Sequence, residues 1–302
     1  MIQLRELVLR SCLVKSMEGV NDQIYLEKLE LYDNQVLVIA HLERLESLTV
    51  LDISYNSIRD MAPLSCCLKL QKLYIAQNKL RKIAGLENFR DLKLLDLGAN
   101  RIRTMEGLSG LSSLESLWLG KNKIERIEGI EHLTSLRQLD VQSNRLTEIS
   151  NIDQLCNLRE LYLASNAISS IEGIPRFGTL TTIDLSRNKL NNLTGIEVQE
   201  SLEDLWLSTN LFDSFAAIEP LKSLHNLTTV YLEHNPIAKD FEYRMRITTE
   251  IPSLEYLDAT VTSRQHQQMQ MQRRILGDGV VSSESSGGIA ASRSSSECKA
   301  PL

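Results

Sequence analysis

Asp52, Tyr74, Asp96, Trp118, Asp140, Tyr162, Asp184 and Trp206 recur at every twenty-second position of the chain, and Tyr231 follows 25 further on. Acid and aromatic alternate without a break through the first eight. Side chains of these types can do three kinds of chemistry. Paired carboxylates can exchange protons, converging carboxylates can hold a metal ion, and rings flanked by charge can be covered by another protein. The first two need oxygens that meet at one point. Residues repeated at a constant interval form a line instead, with a ring between successive acids, so neither acid–base catalysis nor metal binding is expected. The third use suits a line. Rings bring large contact area at low entropic cost, and charge beside them steers the choice of partner. Both tryptophans of the chain and three of its eight tyrosines fall on this series. Val8 and Glu30 hold the same place in the two preceding intervals, and Asp204, Glu160 and Glu233 lie two residues from members of it.

The composition narrows the partner. A formal charge of −6 and a pI near 5.5 disfavour a phosphate backbone and favour a basic or mixed protein surface, with no direct nucleic acid expected. No stretch approaches the roughly 18–20 continuous apolar residues of a membrane helix, and no membrane partner is expected. Arg5, Glu6 and Arg10 interrupt the N-terminus where a leader peptide would be apolar. The five cysteines are odd in number and form no CxxC pair, so they provide no disulfide framework. That usage points to a reducing compartment, the nucleus or cytoplasm. Phosphate-cradling glycine loops, GxSxG elbows and HExxH metal motifs are absent, and neither enzyme activity nor a cofactor is expected.

A series of this kind needs elements that present one residue per interval. Asn34, Asn56, Asn78, Asn100, Asn122, Asn144, Asn166, Asn188 and Asn210 keep the same interval, with Asn235 after 25 and Cys12 one interval before Asn34. Each closes the pattern L-x-x-L-x-L-x-x-N/C, followed by apolar residues two, five and eight positions on. This is the leucine-rich repeat. L-x-L alternation gives a short parallel strand with its leucines inward, so the residue between them faces out. The asparagine side chain supplies partners to backbone groups where the strand ends. Apolar spacing of three in the second half of each repeat fits a tight 3₁₀-like return. One repeat cannot bury its own apolar face, so neighbours stack. The fold expected is an α/β repeat solenoid, a right-handed superhelix with parallel strands lining its concave face and the acid–aromatic series running along that face.

Residues 1–235 read as eleven repeats, mostly of that one length. Residues 236–262 read as a C-terminal leucine-rich repeat cap with a helix around Phe241–Glu250 and a partial return strand at "LEYLD". Residues 263–302 read as a flexible Ser/Gln-rich tail, a composition too polar to order itself. The first repeat opens with nothing before it, so it is either its own cap or preceded by a further segment.

The strings "LDISYNSI", "LGANRIRTMEGL", "LWLGKNKI", "QSNRLTEI" and "LRELYLASNAI", together with the cap "VYLEHNPIAKDFEYRMRITTEIPSLEYLDAT", resemble the protein phosphatase 1 regulatory subunit 7 family over nearly all of residues 4–262. The resemblance implies a non-enzymatic regulatory subunit. Its concave face would hold the catalytic subunit of protein phosphatase 1, with other phosphatase regulators as further partners, in the nucleus and cytoplasm. It assigns contact roles to Asp52, Tyr74, Asp96, Trp118, Asp184, Asp204, Trp206 and Tyr231; Asp140 and Tyr162 join them by position in the row. Tyr74 and Trp118 stand where the family usually has phenylalanine, and Asp96 and Asp204 where it has glutamate. Ring and charge are kept while reach changes. The resemblance further implies an acidic N-terminal extension, which is expected to be missing from residues 1–302. The other expected use of the same solenoid is a scaffold in another assembly, ciliary, cytoskeletal or spliceosomal A-prime-like.

Overall fold

The computed structural model describes residues 4–268 and Gln270. Eleven three-residue strands recur once per repeat: β1 (Glu6–Val8), β2 (Lys28–Glu30), β3 (Val50–Asp52), β4 (Lys72–Tyr74), β5 (Leu94–Asp96), β6 (Ser116–Trp118), β7 (Gln138–Asp140), β8 (Glu160–Tyr162), β9 (Thr182–Asp184), β10 (Asp204–Trp206) and β11 (Thr229–Tyr231). They pair in sequence order, all parallel, in one sheet. From β3 to β11 every strand buries its central residue and leaves the two flanking ones half-covered or exposed. That is the period-2 alternation of a strand with one face on the core. The solenoid expected from the repeat is therefore the fold found.

Each repeat adds the same apolar set to one continuous core. Leu117, Leu119, Ile124, Ile127, Ile130 and Leu133 of a middle repeat are all fully buried. The returns are tight: 3₁₀ turns form at Val20–Asp22, Ala62–Cys66 and Ile196–Val198. In the longer repeat that leads to Asn235, the additional residues are absorbed by an extended 3₁₀ segment, Phe215–Ser223, which carries Pro220.

Where each strand ends, the residue before the repeat asparagine takes a left-handed conformation. Asp33, Tyr55, Gln77, Ala99, Lys121 and their equivalents have φ between 51° and 61°. This is unfavourable for a side-chain-bearing residue, and the asparagine offsets it. Asn122 Nδ2 donates to the Leu97 and Leu119 carbonyls at 3.0 Å, and its Oδ1 accepts the Ile102 N–H at 3.0 Å. The same three-way bond repeats at Asn56, Asn78, Asn100, Asn144, Asn166 and Asn188. Cys12 ends the series with a weaker donor, its Sγ reaching only the Arg10 carbonyl.

The repeats stack closely enough to exclude a single methyl group at some turns. A Cβ on Gly173 would overlap the Ile149 carbonyl of the preceding repeat. Gly173→Ala must therefore push neighbouring repeats apart. We expect a loss of at least about 2 kcal/mol in urea unfolding, and an unchanged midpoint would mean that the returns are soft.

The C-terminal end is closed by a helix, α1 (Tyr243–Glu250), and two short strands, β12 (Tyr256–Leu257) and β13 (Thr260–Val261). β12 continues the parallel sheet and β13 turns back antiparallel. Arg244 donates to the carbonyls of Leu257, Thr260 and Val261. Tyr243 donates to Asp258 at 2.7 Å, and Asp258 accepts the backbone N–H groups of Leu232 and Glu233. At the other end, Leu7 is half-buried where its equivalents are fully buried. Leu4, Leu7, Leu9 and Val14 line an open groove of about 380 Å³ there. The chain divides into two units at Thr262. In the second, residues 263–268 are helical and the His266 and Gln270 side chains are hydrogen-bonded; the tail expected up to position 302 lies, from 271 on, outside the described residues.

Candidate functional site

The outward residue at the end of each strand stands directly beside its counterpart in the next. Register pairs Asp52 with Tyr74, Tyr74 with Asp96, Asp96 with Trp118, Trp118 with Asp140 and Asp140 with Tyr162. It continues through Tyr162 with Asp184, Asp184 with Trp206 and Trp206 with Tyr231. At about 4.8 Å per strand this is one unbroken row. Asp204 and Glu160 lie on a second row two residues away, at the first position of their strands.

The row is less uniform than alternation implies. Tyr162 and Trp206 are two strands apart, roughly 10 Å by strand spacing, yet their ring centroids are 6.2 Å apart. The two rings lean together across the strand that carries Asp184. Trp206 meets Tyr231 edge-on at 6.4 Å. A three-ring cluster results, beside a shallow concavity of about 250 Å³ lined by Ser186, Trp206, Ser208 and Tyr231. The Trp206 indole N–H is enclosed without a hydrogen-bond partner, an arrangement that ordinary packing avoids.

Trp118 is held differently. Its Nε1–H donates to Gln138 Oε1 at 2.9 Å, Gln138 Nε2 donates to Glu160 Oε2 at 2.8 Å, and Tyr162 Oη donates to the same Glu160 oxygen at 2.8 Å. This chain crosses three strands and fixes two rings of the row. Burial, with the Glu160 bond behind it, pushes the Tyr162 phenol up to about 12.

The aspartates have a local task that their spacing did not disclose. Asp52, Asp96, Asp140 and Asp184 each accept the backbone N–H two residues on, at Ser54, Gly98, Gln142 and Ser186, at 2.9–3.0 Å. One oxygen of each thus tucks the chain into its turn, and the other is left for the concavity or, at Asp140, for Gln142 Nε2. Burial raises the carboxyl groups of Asp96, Asp140 and Asp184 above the usual aspartate range against the pull of those backbone bonds.

Glu30, one interval before Asp52, is closed off by cations. It is nearly buried, with Arg10 Nη2 at 2.6 Å and Lys28 Nζ at 2.9 Å. Burial alone would raise its carboxyl group, but the bonds from Lys28 and Arg10 outweigh it and hold it low. The half-buried acids of the row therefore start at Asp52. Among the described residues no group of three or more His, Cys, Asp or Glu side chains is placed to hold a metal ion, and no helix is long and apolar enough to cross a membrane.

Comparison with known proteins agrees on the repeat and narrows little beyond it. A family described as "Leucine-rich repeat" matches residues 160–276, "Leucine Rich repeats (2 copies)" matches 112–155 and 134–176, and "Leucine Rich repeat" matches 44–60. Protein phosphatase 1 regulatory subunit 7 of Danio rerio is 46% identical over 46 residues, 15% of this chain and 13% of that protein. The Homo sapiens protein of the same name is 44% identical over 43 residues, 14% and 12% of the two chains. The matched segment is thus a small part of those relatives. Among solved structures, an internalin of Listeria monocytogenes has a TM-score of 0.62 at 22% identity, covering 86% of this chain and 88% of its own. A leucine-rich repeat protein of Leptospira interrogans has a TM-score of 0.70 at 24% identity, covering 84% and 72%. Likeness at that identity concerns the fold alone.

Proposed function

We propose that this leucine-rich repeat protein is a non-enzymatic regulatory subunit that binds the catalytic subunit of protein phosphatase 1 on its concave face and controls its activity or maturation. The observation that carries the reading is the in-register row of half-buried acids and rings from Asp52 to Tyr231 along one face of the sheet. The short match to phosphatase regulatory subunits from several vertebrates supports the choice of partner. Within the row, the Tyr162–Trp206–Tyr231 cluster has the makings of a hot spot: clustered rings, a donor without a partner, and acids at its edge. Asp52, Tyr74, Asp96, Trp118 and Asp140 continue the row on one side of it, and Asp204 lies on the same strand as Trp206. Action in the nucleus and cytoplasm belongs to the same reading.

The test is capture of the phosphatase catalytic subunit by the full chain and by Trp206→Ala and Asp184→Ala, with circular dichroism as the control for folding. Each substitution is expected to weaken capture by at least about tenfold, roughly 1.4 kcal/mol. Normal capture by both variants would remove the concave row from the mechanism. Affinity purification from cells separates the second reading. A yield dominated by axonemal, tubulin or splicing components, without phosphatase, would make the chain a scaffold of another assembly, which the small matched share of the regulatory subunits leaves room for.

A further inference from the structure

The flank of the solenoid just beyond the asparagine ladder has the opposite charge to the concave face. After each ladder asparagine the chain runs outward, inward, outward. Ile58, Leu80, Ile102 and Ile124 point into the core and are fully buried. The residues after them are exposed, and of those before them Arg101 is exposed while Ser57, Lys79 and Lys123 are half-buried, with Lys79 Nζ donating to Ser57 Oγ. One position after the asparagine stand Lys79, Arg101 and Lys123. Three positions after it stand Arg59, Arg81 and Arg103, all exposed. Lys82 and Arg126 add to them from the next position along. Over these four repeats the three outward positions hold eight basic residues and two acids, Asp60 and Glu125, in a chain whose formal charge is −6.

Backbone bonds place these residues in stacked rows. Lys79 N–H donates to the Ile58 carbonyl, Arg101 N–H to Leu80 and Lys123 N–H to Ile102, all at 2.8 Å. Arg59, Arg81 and Arg103 therefore follow one another repeat by repeat. Among the described residues, none of these three has an acid within ion-pair distance, and none is held by another side chain. A run of unpaired guanidinium groups repels itself, an arrangement that gains when an anion covers it. At its start the run meets Leu37 and Val38, exposed at 61% and 65%, with Leu37 in the same repeat position as Arg59.

We infer that this flank is a second binding surface, distinct from the concave row, for an extended acidic peptide segment of a partner with an apolar residue at the end that meets Leu37 and Val38. The shape of the strip favours a peptide. It spans about three residues of chain, roughly 10 Å; Asp52, Asp96 and Asp140 lie across the ladder from it, and Glu106 and Glu128 lie further along the last two of its repeats. A single peptide strand fits between them. A duplex or a bilayer surface would extend over the bounding acids. Single-stranded nucleic acid is read by stacking on rings, and the outward positions of the strip carry none. Arginine forks match carboxylates in bidentate fashion, which gives an acidic peptide more than diffuse attraction.

The probe is a fluorescein-labelled oligoglutamate peptide carrying a leucine pair at one end, measured by fluorescence anisotropy with the full chain at physiological ionic strength. We expect saturable binding that weakens as salt rises, and a loss of at least about tenfold in the triple variant Arg59→Glu/Arg81→Glu/Arg103→Glu. Leu37→Ser/Val38→Ser should remove the advantage of the leucine-bearing peptide over plain oligoglutamate, while Trp206→Ala should leave the peptide affinity as it was. Failure of the phosphatase test leaves this expectation standing, because the two surfaces share no residue. Equal binding by the folded triple variant would overturn the proposal. So would an unlabelled oligothymidylate or an anionic phosphatidylserine vesicle that displaces the peptide at lower concentration than unlabelled peptide does.

Discussion

Asn122→Ala is expected to lower the stability of the chain by about 3 kcal/mol, read as a shift in the urea midpoint with an unchanged slope. The side chain makes three backbone bonds at 3.0 Å and is 9% exposed. Removing it orphans the Ile102 N–H in a place that water barely reaches, and leaves the Leu97 and Leu119 carbonyls with only Asn100 Nδ2 and Asn144 Nδ2 as ladder partners. Each such bond is worth about 1 kcal/mol net, and an orphaned buried group costs more than the bond was worth. The bonds also hold Lys121 in its left-handed turn, with φ 56°. Two controls grade the effect. Asn122→Cys should fall between wild type and alanine, because the thiol fits the slot but donates weakly, as Cys12 does at the first repeat. Asn122→Asp should be worse than alanine, because a carboxylate cannot donate to the two carbonyls and places a charge in the core. A loss under about 1 kcal/mol for alanine would mean that apolar stacking alone sets the turn.

The ladder also marks how far the sequence could be read. A constant interval, with leucines on one parity and asparagine at the strand end, is enough to place every strand centre, because solenoid geometry leaves each residue type one site per repeat. Asp52 to Tyr231 can therefore be put on one line from the spacing alone. The bonds that cross repeats were less accessible. Gln138 links Trp118 to Glu160 only because glutamine is long enough to reach from the first position of its strand to a ring one strand back, and Gln138 belongs to no periodic class. Glu30 counts as an acid in composition, but Arg10 and Lys28 close over it. Arg10 lies in the first repeat, and no later repeat has a basic residue at the equivalent position, which is most often small, as at Ala76, Gly98 and Gly120. The lean of Trp206 towards Tyr162 over Asp184 is a rotamer choice, and spacing carries no information about rotamers.

The second large effect separates what the aspartates do for the fold from what they do for a partner. Asp96→Asn/Asp140→Asn/Asp184→Asn is expected to raise the thermal midpoint at neutral pH while weakening capture of the phosphatase catalytic subunit by at least about tenfold. Asparagine keeps an oxygen that can accept the backbone N–H of Gly98, Gln142 or Ser186, so the turn geometry survives. What it removes is charge that burial opposes. All three carboxyl groups sit above the ordinary aspartate range because they are partly withdrawn from water. A raised folded value means that the native state takes up protons more readily than the unfolded chain. The penalty for ionisation is therefore fully present at neutral pH and fades as pH falls through the folded values towards 3.8, the ordinary value. The midpoint difference between the variant and wild type should shrink over the same interval. Glu30 acts with the opposite sign, since its lowered value makes acid destabilising, but it is common to both proteins and cancels in the difference. A negative row retained at a cost to the fold is what a surface shaped for a cationic partner requires, and association with that partner should lose most of its salt dependence in the variant. If the triple variant were less stable than wild type at neutral pH and still captured the phosphatase, these three aspartates would be turn-formers and nothing more, and recognition would have to rest on the rings Tyr74, Trp118, Tyr162, Trp206 and Tyr231 and on the acids left in place.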